Sequence, residues 1–197
     1  MLAAALSQAR RYVETFLEAD GGFREGGLLF VGEPGTGKTH LAIAVLRELM
    51  EQYGLRGRFV DFGSLIESIQ ASFDPRTDDN KQSLLRPIQD AEVLVLDELG
   101  VRKPTDFVSD VLYAVINERY KQRRATIFTT NFWPRGEDAT AESLDRGRDE
   151  PASLAALSLE QRVPRMLISR LFEMARMVSM AGVEDFRRAV GSHRHVW

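Results

Sequence analysis

Short apolar runs alternate along this chain with longer segments whose apolar residues recur every three or four positions. The runs predict buried β-strands at 28–31, 59–60, 93–96, 126–130 and, near the end of the chain, 178–180. The periodic segments predict amphipathic helices up to about residue 17 and at 39–50, 64–72, 106–123 and 159–174. Strands that alternate with helices are typical of an α/β fold, here a parallel sheet of about five strands covered by helices on both faces.

Polar segments separate several of these elements. Residues 74–81 are polar and are predicted to form a loop, and Ser64 with Glu67 three positions later matches a capping box that opens the preceding helix. Residues 135–151 are rich in Gly, Asp, Glu, Arg and Ala and have little apolar content. This composition predicts an exposed, mobile loop.

Length and composition favour one domain over residues 1–197, with a short N-terminal helix within residues 1–20. The net charge of -3 gives no global basic field, although residues 162–197 carry seven Arg against three acidic residues. The absence of Cys excludes disulfides and thiolate chemistry. The apolar start of the chain is followed, not preceded, by Arg10 and Arg11, which is the wrong order for a signal peptide. We expect a cytoplasmic protein with no membrane contact.

The segment from Gly32 to Thr39, GEPGTGKT, matches the pattern of a phosphate-binding loop. Its glycines would let the backbone wrap a phosphate closely, and the helix that follows would place its positive N-terminal end there. Lys38 is expected to reach the β- and γ-phosphates, and the Thr39 hydroxyl is expected to ligate Mg²⁺. The alternative is a glycine turn that matches by chance, against which the strand–loop–helix order argues. The predicted ATP-binding residues in this loop are Gly32, Gly35, Thr36, Gly37, Lys38 and Thr39.

Polar residues also follow two later predicted strands. Asp97 and Glu98 end the apolar run 93–96, at the strand end where ligands bind in open α/β sheets. Asp97 would hold Mg²⁺ through its water shell, and Glu98 would polarise the attacking water. Asn131 ends the next strand and would orient that water beside the γ-phosphate. The alternatives are two solvated carboxylates, and an asparagine that starts a turn before Pro134.

These motifs, in this order, resemble those of the AAA+ ATPases. Several segments are more similar still to the DnaC-like bacterial helicase loaders and the related IstB-type transposition ATPases. The similar segments are GLLF at 27–30, THLA at 39–42, DELG at 97–100, INERY at 116–120, TTN at 129–131 and a later block at 169–187. The phosphate-binding loop is common to many NTPases, whereas the combination is specific to this clade. His40, within THLA, joins the predicted ATP-binding residues.

The resemblance implies roles for two arginines. Arg170 stands where the family carries its arginine finger, which would reach the ATP bound to a neighbouring subunit. Arg187, in the segment that looks like the family's terminal motif, would be a second sensor that touches the γ-phosphate in cis. The alternative for each is a solvated surface charge.

The resemblance also implies a path for single-stranded DNA. The helix after Ser64 is similar to the extra helix of initiator and loader ATPases, and the positions that match DNA contacts are Phe73, Thr105 and Phe107. Arg102 and Lys103 lie nearby in the sequence and could hold phosphates. The alternative is that both phenylalanine rings belong to the core.

The function expected from the resemblance is a Mg²⁺-dependent ATPase of DNA replication. It would load a DnaB-type replicative helicase on single-stranded DNA and assemble as an ATP-dependent homo-oligomer. The alternative is an IstB-type, transposase-associated ATPase on duplex DNA. A nucleotide-binding interaction module without turnover is a third possibility, against which Glu98 argues. Two departures stand out: about one helix precedes the first strand, where loaders carry a partner-binding module, and the loop at 135–151 is longer than is usual in the family. No helical lid of the kind found in many AAA+ proteins is expected after Arg187, which fits the loader and transposition clade.

Overall fold

The computed structural model describes residues 1–17, 26–74, 80–135 and 157–186. The strands in this part of the chain are β1 (Gly27–Val31), β2 (Gly57–Asp61), β3 (Val93–Asp97), β4 (Ala125–Thr130) and β5 (Ala175–Ser179). The α-helices are α1 (Leu2–Glu14), α2 (Lys38–Tyr53), α3 (Phe62–Ala71), α4 (Lys81–Asp90), α5 (Asp106–Lys121) and α6 (Arg165–Met174). None of these helices has the length and apolar character that a membrane crossing requires.

All five strands are parallel and lie in the order β2-β3-β4-β1-β5. Their carboxyl ends therefore meet at one edge of the sheet. The loop after β1 and the acidic pair after β3 flank the end of β4, because β4 pairs with both strands. This order brings the three predicted polar motifs together, with Asn131 in the middle, and it confirms the predicted parallel α/β fold.

The sheet is covered on both faces, as predicted. Along β1, Leu29 and Val31 join one core layer, which also contains buried residues of α3, α4, α5 and α6. Leu28 and Phe30 join the opposite layer, which contains buried residues of α1 and α2. Side chains that alternate between two apolar layers explain why the strand is a continuous apolar run.

The helix after β2 differs from the prediction at its start. Its N-cap is Asp61, whose carboxylate accepts a 2.6 Å hydrogen bond from the Ser64 backbone N–H. The predicted capping box of Ser64 and Glu67 is therefore wrong, because the helix begins two residues earlier, at Phe62. A true reciprocal cap joins Asn80 and Ser83 at the start of α4, a helix that the sequence did not predict.

The prediction of one helix over 159–174 is also wrong. A short 3₁₀ turn covers Leu159–Gln161, and α6 begins only after Pro164, which disfavours helical backbone in the residue before it. Arg162 lies in the break between the two and is buried. The predicted mobile loop at 135–151 falls outside the described residues, apart from Arg135, and so does most of the segment that bears on the lid.

Arg119, from the INERY segment, is fully buried on α5. Its guanidinium donates to the backbone oxygens of Ile88, Gln89, Ala91 and Ala125, at distances of 2.6–3.2 Å, and its Nε donates to the Thr126 hydroxyl. Burial lowers the pKa of Arg119 to about 9, so the side chain is still charged at neutral pH. It ties the end of α4 and the start of β4 to α5.

Candidate nucleotide-binding site

A cavity of about 660 Å³ opens at the carboxyl edge of the sheet. Its walls are formed by the predicted phosphate-binding loop, by Glu98, by the end of β4 through Asn131, and by residues from both ends of the described chain. The position follows from the strand order, since loops at this edge are where ligands bind in open α/β sheets.

The phosphate-binding loop has the backbone that its glycines permit. Gly35 and Gly37 have φ values of 81° and 90°, in the left-handed region, and Gly37 is the N-cap of α2. The Lys38 side chain is buried, and its amine donates a 2.8 Å hydrogen bond to the Glu33 carbonyl. The Thr36 hydroxyl donates to the same carbonyl at 2.8 Å. The loop is thus held closed around its own lysine.

Gly32 is fixed by a neighbouring strand as well as by the loop. A Cβ atom there would lie 2.9 Å from the Cβ of Met180, just beyond β5. The Gly32 N–H donates to the Thr130 carbonyl at 3.3 Å, which joins the start of the loop to the end of β4.

The Asp97 carboxylate links the two motifs that the sequence predicted to share a metal. The Thr39 hydroxyl donates to its two oxygens at 3.0 and 3.2 Å, and the Thr129 hydroxyl donates to Oδ1 at 2.5 Å. Hydroxyl and carboxylate oxygens are hard ligands of the kind that Mg²⁺ prefers, with water and phosphate oxygens in its other positions. The residues present therefore fit a magnesium ion between Thr39 and Asp97.

Glu98 and Asn131 both border the cavity. The Glu98 side chain is exposed, and its backbone has a φ of 58°, which is uncommon for a residue other than glycine. Its N–H donates to the Thr129 hydroxyl at 3.0 Å, and the Leu99 N–H donates to the Thr129 carbonyl at 2.8 Å. The end of β4 therefore sets the direction in which the Glu98 carboxylate leaves β3.

An apolar wall of the cavity was not predicted from the sequence. It combines Leu2 and Leu6 of α1 with Leu41 of α2 and with Val183 and Phe186 beyond β5. These residues come from distant parts of the chain, so no local pattern could have joined them. An apolar wall beside a phosphate-binding loop has the chemistry to hold a nucleotide base. The predicted residue His40 is exposed and also borders the cavity.

Residues 182–186, the described part of the segment that resembles the family's terminal motif, lie against the phosphate-binding loop. The Phe186 N–H donates to the Gly35 carbonyl at 3.1 Å, and a Cβ on Gly35 would overlap the Asp185 carboxylate. Arg187 itself lies outside the described residues, so its role as a second sensor stays a prediction.

Arg170 is absent from the described residues that line this cavity and instead faces α5. Its guanidinium carbon lies 5.5 Å from the ring centre of Tyr113 and 5.6 Å from that of Tyr120. The Nη1 atom is buried and has no hydrogen-bond partner among the described residues. The Tyr120 hydroxyl donates to Glu173 at 2.6 Å, and this bond raises the pKa of the tyrosine. A role for Arg170 at an active site requires the cavity of another subunit.

The predicted DNA contacts lie together at the surface. The ring of Phe73 is 61% exposed and meets the ring of Phe107 edge-on, with 5.9 Å between the centroids. Phe107 is partly buried against the core, and the Thr105 hydroxyl caps α5 by accepting from the Val108 N–H. Arg102, one of the two predicted phosphate ligands, forms an ion pair with Glu67 of α3.

A sheet of this order, with a phosphate-binding loop after β1, an acidic pair after β3 and a polar strand end between them, defines the AAA+ class of P-loop NTPases. The sequence model of the IstB-like ATP binding protein family matches residues 9–137, about two thirds of the chain. The chain therefore belongs to this family of ATP-binding proteins.

The relatives agree with this assignment. The replicative helicase loader DnaC of Escherichia coli K12 is 33% identical over 129 residues, which are 64% of this chain and 49% of the relative. The chain thus spans about half the length of the curated relatives it matches. The crystal structure of the DnaC helicase loader is 31% identical, with a TM-score of 0.67 over 89% of this chain and 87% of that one. AMPPCP-bound DnaA from Aquifex aeolicus shares the fold at 16% identity, with a TM-score of 0.62 over 95% of this chain and 49% of that chain.

Proposed function

We propose that this protein hydrolyses ATP with Mg²⁺ in the cavity at the carboxyl edge of the sheet. The observation that carries the proposal is the contact of Thr39 with both oxygens of Asp97. These two groups come from different motifs, 58 residues apart, and Thr39 directly follows Lys38, whose amine donates to the Glu33 carbonyl of the phosphate-binding loop. A hydroxyl, a carboxylate and an ammonium that converge on one loop are what binding of a metal–triphosphate requires.

Each of these residues has a distinct role in the proposed reaction. The Lys38 amine exchanges the Glu33 carbonyl for β- and γ-phosphate oxygens, while the loop N–H groups hold the β-phosphate. Thr39 would ligate Mg²⁺ and Asp97 would hold it through its water shell, and the bound ion would neutralise phosphate charge. The Glu98 carboxylate polarises the attacking water, and the Asn131 amide orients that water beside the γ-phosphate. The apolar wall of Leu2 and its neighbours excludes water around the base.

Replacing Glu98 with Gln tests this assignment. The variant keeps the size and shape of the side chain but replaces one carboxylate oxygen with an NH2 group and loses its basicity, so turnover should fall by about 10²–10⁴. Binding of a fluorescent ATP analogue should be unchanged, because Glu98 is not expected to hold phosphate. Glu48→Gln, which changes an exposed carboxylate on α2, is the matched control. Wild-type turnover by Glu98→Gln would refute the proposed role.

We further propose that the ATPase acts in DNA replication, loading a DnaB-type helicase on single-stranded DNA. Support comes from the 31% identity with the DnaC helicase loader structure over most of both chains. The exposed Phe73 ring against Phe107, with the Lys103 cation nearby in the sequence, offers a surface on which a base can stack. Capture of a hexameric replicative helicase by the ATP-bound protein would test the partner.

The DNA surface is tested by Phe73→Ala. Loss of one stacked base should weaken single-strand binding by roughly fivefold to a hundredfold, since such contacts contribute about 1–3 kcal/mol. The measurement is an anisotropy titration of a labelled oligonucleotide with non-hydrolysable ATP, alongside a melting curve. Phe59→Ala removes a 41% exposed ring from the edge strand β2 and should leave the DNA affinity unchanged. Equal DNA affinities for Phe73→Ala and wild type would remove this surface from the proposal.

A transposition ATPase is the second candidate, because the matching family model is that of the IstB-like proteins. An IstB-type protein would assemble on duplex DNA, where bases are already stacked on each other and a surface ring has little to contact. A competition titration separates the two functions. A clear preference for duplex over single-stranded DNA of the same length favours the second candidate, and the reverse favours the first.

A further inference from the structure

A buried arginine holds the loop that follows Glu98. Arg162 lies in the break between the 3₁₀ turn and α6, and only 7% of its surface is exposed. Its Nε donates to the Gly100 carbonyl at 2.6 Å, and its Nη2 donates to the Val101 carbonyl at 2.5 Å. The guanidinium carbon also lies 5.0 Å from the ring centre of Phe132, the residue after Asn131.

The packing around this contact leaves little room for adjustment. Gly100 has a φ of 87°, and a Cβ there would lie 3.0 Å from both the Cβ of Arg162 and the ring of Phe132. Burial lowers the pKa of Arg162. Its guanidinium donates to two backbone carbonyls of the loop, and these hydrogen bonds offset the cost of burying it. A lysine cannot reproduce this fork, because its ammonium is a compact point charge on a flexible stem.

The loop is attached at three places. On one side, Thr129 holds the Glu98 and Leu99 N–H groups, and the Thr130 hydroxyl donates to the Leu99 carbonyl at 2.8 Å. On the other side, Arg162 holds the next two carbonyls. The first attachments come from β4, whereas Arg162 comes from the segment that leads into α6, the helix that carries Arg170.

We propose that Arg162 is a positioning residue for ATP hydrolysis, which sets the Glu98 carboxylate by clamping Gly100 and Val101. Through the same contact it fixes the position of α6 relative to the reacting centre of its own subunit. When α6 docks beside the nucleotide of a neighbouring subunit, the Arg162 contact couples that docking to the position of Glu98 in its own subunit. The inference rests on the proposed ATPase function and adds a residue to it that touches neither nucleotide nor metal.

The test compares two buried arginines. In Arg162→Lys and Arg162→Ala, kcat should fall by about tenfold to a hundredfold, since a shift of about 1 Å in a catalytic group can cost that much. The dissociation constant for the ATP analogue should stay within about twofold, because the phosphate-binding loop is untouched. Arg119→Lys removes an even more deeply buried guanidinium, which donates to carbonyls away from the site, and it should lower the melting temperature but not kcat per folded molecule. Arg165→Lys, at an exposed arginine on α6, should change neither.

Hydrogen exchange adds a readout that does not depend on activity. Loss of Arg162 should speed exchange of the Leu99 and Val101 amides while leaving those of α2 unchanged. If Arg162→Ala does not fold, Arg162→Lys and Phe132→Leu, which removes the ring beneath the guanidinium, give the same comparison. An unchanged kcat in folded Arg162→Lys, or a fall in kcat matched by Arg119→Lys, overturns the inference. A wild-type protein without ATP turnover would instead overturn the proposed function.

Discussion

Gly35 and Gly54 have the same kind of backbone but very different surroundings. Both have left-handed φ values, of 81° and 67°. A Cβ on Gly35 would overlap the Asp185 carboxylate, whereas a Cβ on Gly54, at the end of α2, would meet nothing within 4 Å. Glycine is therefore required at position 35 for two reasons: the backbone is left-handed, and Asp185 leaves no room for a side chain.

Substituting alanine at each glycine separates these requirements. Gly54→Ala should cost about 1 kcal/mol of folding free energy, from the left-handed backbone alone, and leave nucleotide affinity unchanged. Gly35→Ala should weaken binding of the ATP analogue by about tenfold or more, because the 182–186 segment or the loop must move. Melting curves and fluorescence titrations on both variants measure the difference. Equal nucleotide affinity in the two variants would contradict this account.

Three arginines show the limit of sequence analysis at the scale of single residues. Arg119 is fully buried against carbonyls, Arg162 donates to two carbonyls of one loop, and the Arg170 guanidinium lies 5.5 and 5.6 Å from the ring centres of two tyrosines. In the sequence each is a lone arginine, for which solvent exposure is the usual expectation. Their partners are backbone oxygens and ring faces from distant segments, so no spacing rule could have identified them.

At the scale of elements, α1 closes one side of the nucleotide cavity. Leu2 and Leu6 border the cavity, while Ala5, Ala9 and Val13, on another face of the helix, are buried in the core. The helix was predicted only as an amphipathic segment. In the structure, the second apolar face of this helix lines the cavity together with Val183.

Replacing Leu6 with Ser tests this wall. Losing the apolar contact should weaken binding of the ATP analogue by roughly fivefold, equivalent to about 1 kcal/mol of apolar burial. Binding of inorganic triphosphate, which has no base, should not change. Leu17→Ser, at a 49% exposed leucine beyond α1, serves as the control. A Leu6→Ser variant that binds ATP as wild type does would show that the base lies elsewhere.

The strands and helices that the sequence predicted are those with a strong local pattern of apolar residues. β1, β3 and β4 were predicted because strands buried on both faces are continuous apolar runs. α4 was missed because it buries only Leu85 and Ile88 and contains Pro87. The phosphate-binding loop and the acidic pair were predicted because each motif consists of residues that are consecutive in the sequence. The apolar wall depends on tertiary contacts alone.

At the scale of the whole molecule, the cavity and Arg170 occupy different parts of one subunit. The strand order assembles the phosphate-binding loop, Asp97, Glu98 and Asn131 at one edge, while Arg170 rests against α5. If Arg170 is an arginine finger, each active site is completed by a neighbour.

Subunit mixing tests this arrangement. Arg170→Ala should lower turnover by roughly 10³–10⁵, as arginine fingers do in well-studied NTPases. Mixing it with Lys38→Ala subunits should restore part of the activity, because some interfaces regain both groups. Arg165→Ala, at an exposed arginine on the same helix, should keep full activity. No recovery in a mixture shown to co-assemble would contradict a finger acting in trans.

The backbone of Glu98 has a consequence for the evolution and engineering of this chain. A left-handed φ costs a residue with a Cβ about 1–2 kcal/mol, and glycine avoids this cost at an entropic penalty of about 0.5–1 kcal/mol. A screen that selects only for heat resistance would therefore be expected to favour glycine at position 98. The variants enriched by such a screen would bind nucleotide and have a higher melting temperature, yet they would lack the carboxylate on which turnover depends. At this position, selection for robustness and selection for activity act in opposite directions.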